Sequence, residues 1–223
     1  MRPDKQIERK LTRSSWVLAA VGVVWILALT VGLRAMLNYE NGPAEAGEPP
    51  AQWPADSMVQ RVPGMPMVVV FAHPKCGCTD ATIGELSILM TRLQGRAAAA
   101  VIFVRPAHSP DDWEKTGLWR SAGAIPGAKV FSDPGGMEAR KFGAQASGQT
   151  ILYDTAGRMR FSGGITASRG HSGDNAGRSA IVSLVTTGAA TTERTSVFGC
   201  SLYDPTTRAD NGEASWSSWT RHQ

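Results

Sequence analysis

Two cysteines separated by a single glycine, Cys76-Gly77-Cys78, stand in the stretch VVVFAHPKCGCTDATIGEL, residues 68 to 86. A third, Cys200, lies far downstream in VFGCSLYDP. Close thiols can exchange disulfides, hold a soft metal ion such as Cu(I), or sit buried and inert. Exchange needs a thiolate, and position decides whether one forms. MVVVFA, residues 67 to 72, is a continuous β-branched run suited to a strand buried on both faces. After Cys78 the period changes, with Ile83, Leu86, Leu89, Met90 and Leu93 at helical spacing. The cysteines therefore fall where a central strand hands over to a helix N-terminus. Unpaired backbone N–H groups and the positive end of the helix dipole stabilise a thiolate there, and Lys75 adds charge next door.

The spacing itself is restrictive. Two residues span at most about 7 Å between Cα atoms, and a disulfide needs roughly 4.4 to 6.8 Å. A Cys76–Cys78 bond is thus reachable through a small ring, with Gly77 relaxing the backbone demand. Strain in that ring raises the reduction potential by about 30 mV for each 1.4 kcal/mol, which favours disulfide donation or isomerisation. For a metal, the sequence offers His73 or His171 beside the two cysteines as copper ligands. His73 is equally placed to tune the thiolate by hydrogen bonding. Cys200 is a free thiol, an intermolecular partner, or a second resolving cysteine that reaches back to Cys76 or Cys78.

Compartment is set by the N-terminus. Residues 1–14 form a basic arm, with Arg2, Lys5, Arg9, Lys10 and Arg13 against Asp4 and Glu8. An uncharged apolar run, Trp16 to Leu33, follows; as a helix it is about 27 Å long, close to bilayer hydrocarbon thickness. Residues 15–37 are therefore expected to anchor the chain in a bacterial-type cytoplasmic membrane as a single pass. The positive-inside bias leaves the arm cytoplasmic and the remainder periplasmic or extracytoplasmic, where disulfides persist. Much of the net charge of +4 sits in that arm, so nucleic-acid binding is not expected. A Pro-, Gly- and Glu-rich stretch, 38–56, reads as a tether, 57–190 as the domain, and the Ser- and Thr-rich 191–223 as a mobile tail in which Trp216 and Trp219 could mark an interaction segment.

Within the domain, AVIFVR (100 to 105) is a second buried strand, giving a right-handed β-α-β unit with parallel strands. Thr82 with Glu85 offers a capping box for the intervening helix and Gly95 its stop. Ser109-Pro110-Asp111-Asp112 is a helix opening, expected to run to about Ala122 and to carry Trp113 and Trp119. A short strand at 128 to 131 and a short helix opened by Asp133-Pro134 follow. Thr150 to Ile165 alternates around Ala156-Gly157 as an antiparallel hairpin. Asp174 or Asn175 caps a last helix ending near Gly188. The glycine-rich stretch from Gly163 to Gly177 lacks the lysine of a phosphate-binding loop and reads as a turn-rich connection.

This element order, with VVVFAHPKCGCT as the strand-to-site segment and SGQTILYDTAGRMRFSGGI as the later hairpin, resembles membrane-anchored thioredoxin-like proteins over roughly residues 57 to 188. HPKCGCT, SGQTILYD and SGGITASRGHSGDNAGR together are similar to the bacterial RedB-type branch. The resemblance implies a thioredoxin-like α/β sandwich with a mixed central sheet behind an N-terminal transmembrane helix. It implies a thiol-disulfide oxidoreductase working on protein or small-molecule thiols and disulfides, with no cofactor. Cys76 aligns with the attacking cysteine and Cys78 becomes the resolving one. Supporting positions are His73, Lys75, Gly77, Thr79, Gly148, Gln149, Thr150 and His171. The superfamily's usual Cys-x-x-Cys is here Cys-x-Cys, and Ser147-Gly148-Gln149 stands where a cis-proline is usual. Some relatives of this class are copper chaperones built on two cysteines and a histidine, which is the alternative reading; a redox-inert interaction domain is a third.

Overall fold

The computed structural model describes residues 4–107 and 109–203, with side chains from residue 15 onward. His108, His222, Trp216 and Trp219 lie outside the described residues. The chain divides into two compact units, residues 1–41 and 42–223.

The first unit is one helix, α1 (Asp4–Glu40). Its segment Ser15–Glu40 has mean hydropathy 2.4 and is long and apolar enough to cross a membrane. Its large side chains, Trp16 and Trp25 among them, are exposed, as a lipid-facing helix requires.

The second unit orders its elements as β1 (Met67–Ala72), α2 (Gly77–Leu93), β2 (Ala98–Arg105), α3 (Gly117–Gly123), β3 (Ala128–Pro134), α4 (Met137–Lys141), β4 (Thr150–Tyr153), β5 (Met159–Gly163) and α5 (Ala176–Thr187). The sheet runs β3-β2-β1-β4-β5, with β1 central. β1, β2 and β3 are parallel, while β4 is antiparallel to both β1 and β5. This is the mixed thioredoxin-like sandwich expected from the element order.

Alternation along β1 builds two cores. Val68, Val70 and Ala72 face a layer with Leu86, Leu89, Leu93, Ile181 and Leu184 of α2 and α5. Val69 and Phe71 face the opposite layer with Phe142, Ile151, Tyr153 and the flanking Trp53. Because successive side chains of a strand point to opposite faces, an all-apolar run is what a sheet covered on both sides demands. Hydrophobic transfer accounts for the drive, at about 25 cal/mol per Å² of apolar surface removed from water.

Three local expectations are corrected. α2 begins at Gly77, so Thr82 and Glu85 lie inside it and form no capping box. The Thr82 hydroxyl donates to Cys78 O, one turn back. Its C-terminus is closed by Gln94 in the left-handed conformation, one residue before Gly95. The Ser109-Pro110-Asp111-Asp112 stretch opens no helix: Asp112 has φ +72, and helix starts only at Gly117. Arg105 holds this turn instead, through Asp111 and the Pro110 carbonyl. α4 starts at Met137, but Asp133 still caps it, accepting from Glu138 N and Ala139 N; burial nonetheless pushes that carboxyl above its ordinary value.

The flanks are the larger surprise. Residues 44–54, in the stretch whose composition predicts a tether, pack on the domain: Gly47 pairs with the Gln149 side chain, Tyr153 Oη donates to Pro50 O, and the Trp53 ring sits edge-on to Phe142 and Tyr153. Residues 194–203, within the expected tail, also pack, with Val197 and Leu202 buried.

Candidate active site

β1 ends at Ala72, and His73-Pro74-Lys75 turns the chain so that Cys76 N donates to His73 O. Cys76 then occupies the N-cap of α2 in extended conformation, and Cys78 falls in the first turn. The expected junction is therefore where the thiols are. Cys76 is buried, Cys78 half-buried and Cys200 exposed.

The C-terminal segment brings a sulfur against Cys76: Cys76 Sγ and Cys200 Sγ are 2.7 Å apart. Cys76 makes no capping hydrogen bond of ordinary geometry with its side chain. Burial drives its thiol up, but the Cys200 thiol, the Cys200 and Cys78 backbones and the Cys78 thiol act against this, leaving it below the ordinary value. Cys78 goes the other way, raised by burial and then by the charge of Cys76, against a smaller pull from Arg169. Cys200 is pushed up to about 12, by burial first and then by its hydrogen bond to Cys76 and the charge there. These opposed shifts make Cys76 the first of the three sulfurs to lose its proton as pH rises. A thiolate at the attacking position is the first requirement of exchange.

The expected supporting residues divide into those that brace the junction and those that stand elsewhere. Thr79 Oγ1 donates to His73 O and lies 2.8 Å from Ser147 Oγ, which accepts from His73 N. Gly148 N donates to Phe71 O, and Phe71 N donates to Gln149 O, so this loop is stitched to the end of β1. Gly148 has φ +89, and a side chain there would meet Thr82 Oγ1 at 3.0 Å. Gln149 turns its amide to Gly47, and Thr150 donates to Gly148 O. There is no cis peptide bond among the described residues; the loop's contact with β1 is made by the ordinary backbone of Ser147-Gly148-Gln149. Gly77 needs no left-handed φ and has open space where a side chain would stand, so its backbone freedom is not used here.

Lys75, next to Cys76 in the chain, is engaged with an aromatic ring. Its ammonium lies 4.7 Å over the Trp113 ring, and the same ring meets His73 edge-on at 5.7 Å. The sequence placed Trp113 in a helix; the non-helical turn is what brings it to the site, whereas Trp119 packs on Phe103 in the core. His73 Nδ1 accepts from Lys75 N. His171 is exposed with Nδ1 on the Arg169 carbonyl. Among the described residues, no group of three or more His, Cys, Asp and Glu is arranged to hold a metal ion.

Residues that side-chain pattern did not single out complete the site. Arg169 Nη1 donates to Gly199 O at 2.6 Å, fixing the residue before Cys200. Its loop is held by buried Glu85, which accepts from Gly173 N, Asn175 Nδ2 and Arg178 Nη1. Ser147 N donates to Cys200 O at 2.8 Å. A glutamate on an otherwise apolar helix face was the one available signal for this network.

No known protein-family model and no curated protein matches the sequence. Among solved structures, the fold is similar to an uncharacterized conserved protein from Geobacillus kaustophilus, 17% identical with TM-score 0.53, over 74% of this chain and 94% of that one. It is similar to a hypothetical protein from Sinorhizobium meliloti 1021, 18% identical with TM-score 0.51, over 73% and 96%. The exposed lipoprotein thioredoxin Etrx1 of Streptococcus pneumoniae is a more distant likeness, 15% identical with TM-score 0.41, over 56% and 85%. These likenesses concern the fold.

Proposed function

We propose that this chain is a membrane-tethered, extracytoplasmic thiol-disulfide oxidoreductase of the RedB-like kind, centred on the CxC stretch with Cys76 as the attacking thiolate. The observation that carries the reading is the Cys76 sulfur itself, buried at the start of α2, with a lowered thiol pKa and a second sulfur 2.7 Å away. Cys76 attacks one sulfur of a disulfide in a protein or small-molecule partner, and the other partner sulfur leaves as thiolate. The mixed disulfide is then resolved within the chain, for which Cys78, a hydrogen-bond partner of Cys76, is the thiol the sequence suggests. The apolar stretch Ser15–Glu40 of α1 supplies the anchor, and the basic arm at the N-terminal end of that helix supports a single pass with the domain outside the cytoplasm.

Copper(I) on Cys76 and Cys78 with His73 or His171 is the competing reading. His171 is engaged with the Arg169 carbonyl, and the ligand sets of the described residues stop short of three. Equilibration in glutathione buffers, with thiol labelling of all three cysteines by mass spectrometry, tests the redox reading. A reversible couple involving Cys76 is expected, and Cys76→Ser is expected to abolish turnover without unfolding the domain. A Cys76 that stays reduced under oxidising buffer, or a serine variant with full activity, would overturn it; tight copper binding dependent on both cysteines would put the chaperone in its place.

A further inference from the structure

The segment from Arg194 to Tyr203 is built into the site. Arg194 bridges Ser162 of β5 in parallel, and Ala146 bridges Ser201 in antiparallel fashion. Ala44 N donates to Val197 O, Gly164 N to Ser196 O, Ser147 N to Cys200 O, and Leu202 N to Gln145 O. Its bed is cut to fit: an added Cβ would lie 2.2 Å from Thr195 Oγ1 at Gly163, 2.6 Å from Ser196 O at Gly164, and, on the arm itself, 1.8 Å from Ser147 O at Gly199. Backbone pairing before and after Cys200 fixes its Cα, and Arg169 clamps the carbonyl just ahead of it. Cys200 is thus presented to Cys76 by a dedicated arm.

We propose that Cys200, delivered by the 194–203 arm, is the thiol that resolves the mixed disulfide on Cys76, in place of Cys78. This rests on the thiol-disulfide reading above. Cys76 S⁻ attacks a partner disulfide R–S–S–R′, forming Cys76–S–S–R and releasing R′–S⁻. With Cys76 in the mixed disulfide, its charge no longer opposes ionisation of Cys200; burial still does, so Cys200 gives up its proton, to the released R′–S⁻ or to solvent, as it attacks. Its thiolate attacks Cys76 Sγ, R–S⁻ leaves, and a Cys76–Cys200 disulfide remains. The partner has gained two electrons and, after protonation, becomes two thiols; the two cysteines have lost two electrons. A dithiol protein or glutathione-class thiol, by the reverse steps, restores the reduced pair. A disulfide of about 2.05 Å requires the two sulfurs to close by well under one ångström. A thiol held in place in this way acts at a far higher effective concentration than one that must find the site.

The full-length chain is reacted with oxidised glutathione, quenched with acid and mapped by mass spectrometry. In the wild type and in Cys78→Ser, a Cys76–Cys200 disulfide is expected as the first intramolecular product. In Cys200→Ser, which keeps the backbone pairing, the glutathione adduct on Cys76 is expected to persist at least about tenfold longer. Gly199→Ala, which collides with Ser147 O while leaving every thiol in the chain, is expected to prolong the adduct similarly. Adduct formation reports the attacking step and its lifetime the resolving step, so the two proposals fail separately. If the adduct forms on Cys76 but clears at the wild-type rate in Cys200→Ser with a Cys76–Cys78 bond, the role of Cys200 is overturned. If Cys76 forms no adduct, both proposals fall.

Discussion

Cys76 and Cys200 shift in opposite directions, and their mutual contact lowers the one thiol and raises the other. Burial acts to raise the Cys76 thiol, and the Cys200 donor is foremost among the contacts that bring it back below its ordinary value. Removing that donor with Cys200→Ala leaves the burial and deletes its largest counterweight, so the Cys76 pKa is expected to rise. Since thiolate below the pKa falls about tenfold per unit, alkylation of Cys76 by iodoacetamide near neutral pH slows, and its pH–rate profile moves to higher pH. In the wild type, Cys76 is expected to label at lower pH than Cys78 or Cys200, whose thiols are raised. Profiles measured residue by residue with mass spectrometry check this, and an unmoved Cys76 profile in the alanine variant would show that Cys200 is not its donor. The sequence pointed to Cys76 as thiolate on the strength of the helix start and Lys75. It left Cys200 as one of three open roles, because that partner lies 124 positions away in the chain and carries no pattern of its own. Lys75 itself is engaged with Trp113, a contact hidden by the apparent helix signal of Ser109-Pro110.

At the level of elements, the buried Glu85–Arg178 pair ties α2 to α5 and to the loop from which Arg169 reaches the arm. Glu85 is fully buried and accepts from Gly173 N and Asn175 as well as from Arg178, whose other terminal nitrogen meets Asp174. Breaking such a pair from one side strands a desolvated charge, so Arg178→Met is expected to cost about 3 to 5 kcal/mol of stability, and Glu85→Leu with Arg178→Met together much less. Urea denaturation of the two variants checks the ordering; a double variant as unstable as the single one would argue that shape, not charge, holds the helices. The strands, the hairpin and α5 were legible because each buries a run of side chains with a clear period, and Asn175 caps α5 as its type suggests. The junction at the cysteines was legible too, whereas the capping box at Thr82 and Glu85 set the helix start too late, because the opening residues Thr79 and Ala81 are small or polar and contribute little to an apolar pattern. The arm was not legible, because a segment that pairs through isolated backbone bridges needs no apolar alternation. Gly163 and Gly164, read as the start of a turn-rich connection, are the places where another chain segment passes too close for a Cβ.

For the molecule as a whole, composition correctly marks an apolar α1 and a packed domain, and misplaces where packing begins. Pro, Gly and Glu between residues 38 and 56 suggest a stretch that buries little, yet from Ala44 the chain is taken up by the domain through backbone bonds and one aromatic ring. Ala44 N reaches the arm at Val197 O, Gly47 is held by Gln149, Pro50 receives the buried Tyr153 hydroxyl, and Trp53 seats against Phe142 and Tyr153. A domain cut at Ser57 loses all of these together. Removing an indole from a core costs about 3 to 5 kcal/mol, and leaving a buried hydroxyl without a partner adds about 1 to 3 kcal/mol. At 2 to 4 °C per kcal/mol for a domain of this size, a chain starting at Ser57 is expected to melt roughly 10 °C or more below one starting at Gly42. Thermal denaturation followed by circular dichroism makes the comparison. Because Ala44 also braces the arm, the shorter chain should hold a glutathione adduct on Cys76 longer than the chain from Gly42. Equal melting temperatures and equal adduct lifetimes would return residues 42–56 to the role of a simple tether.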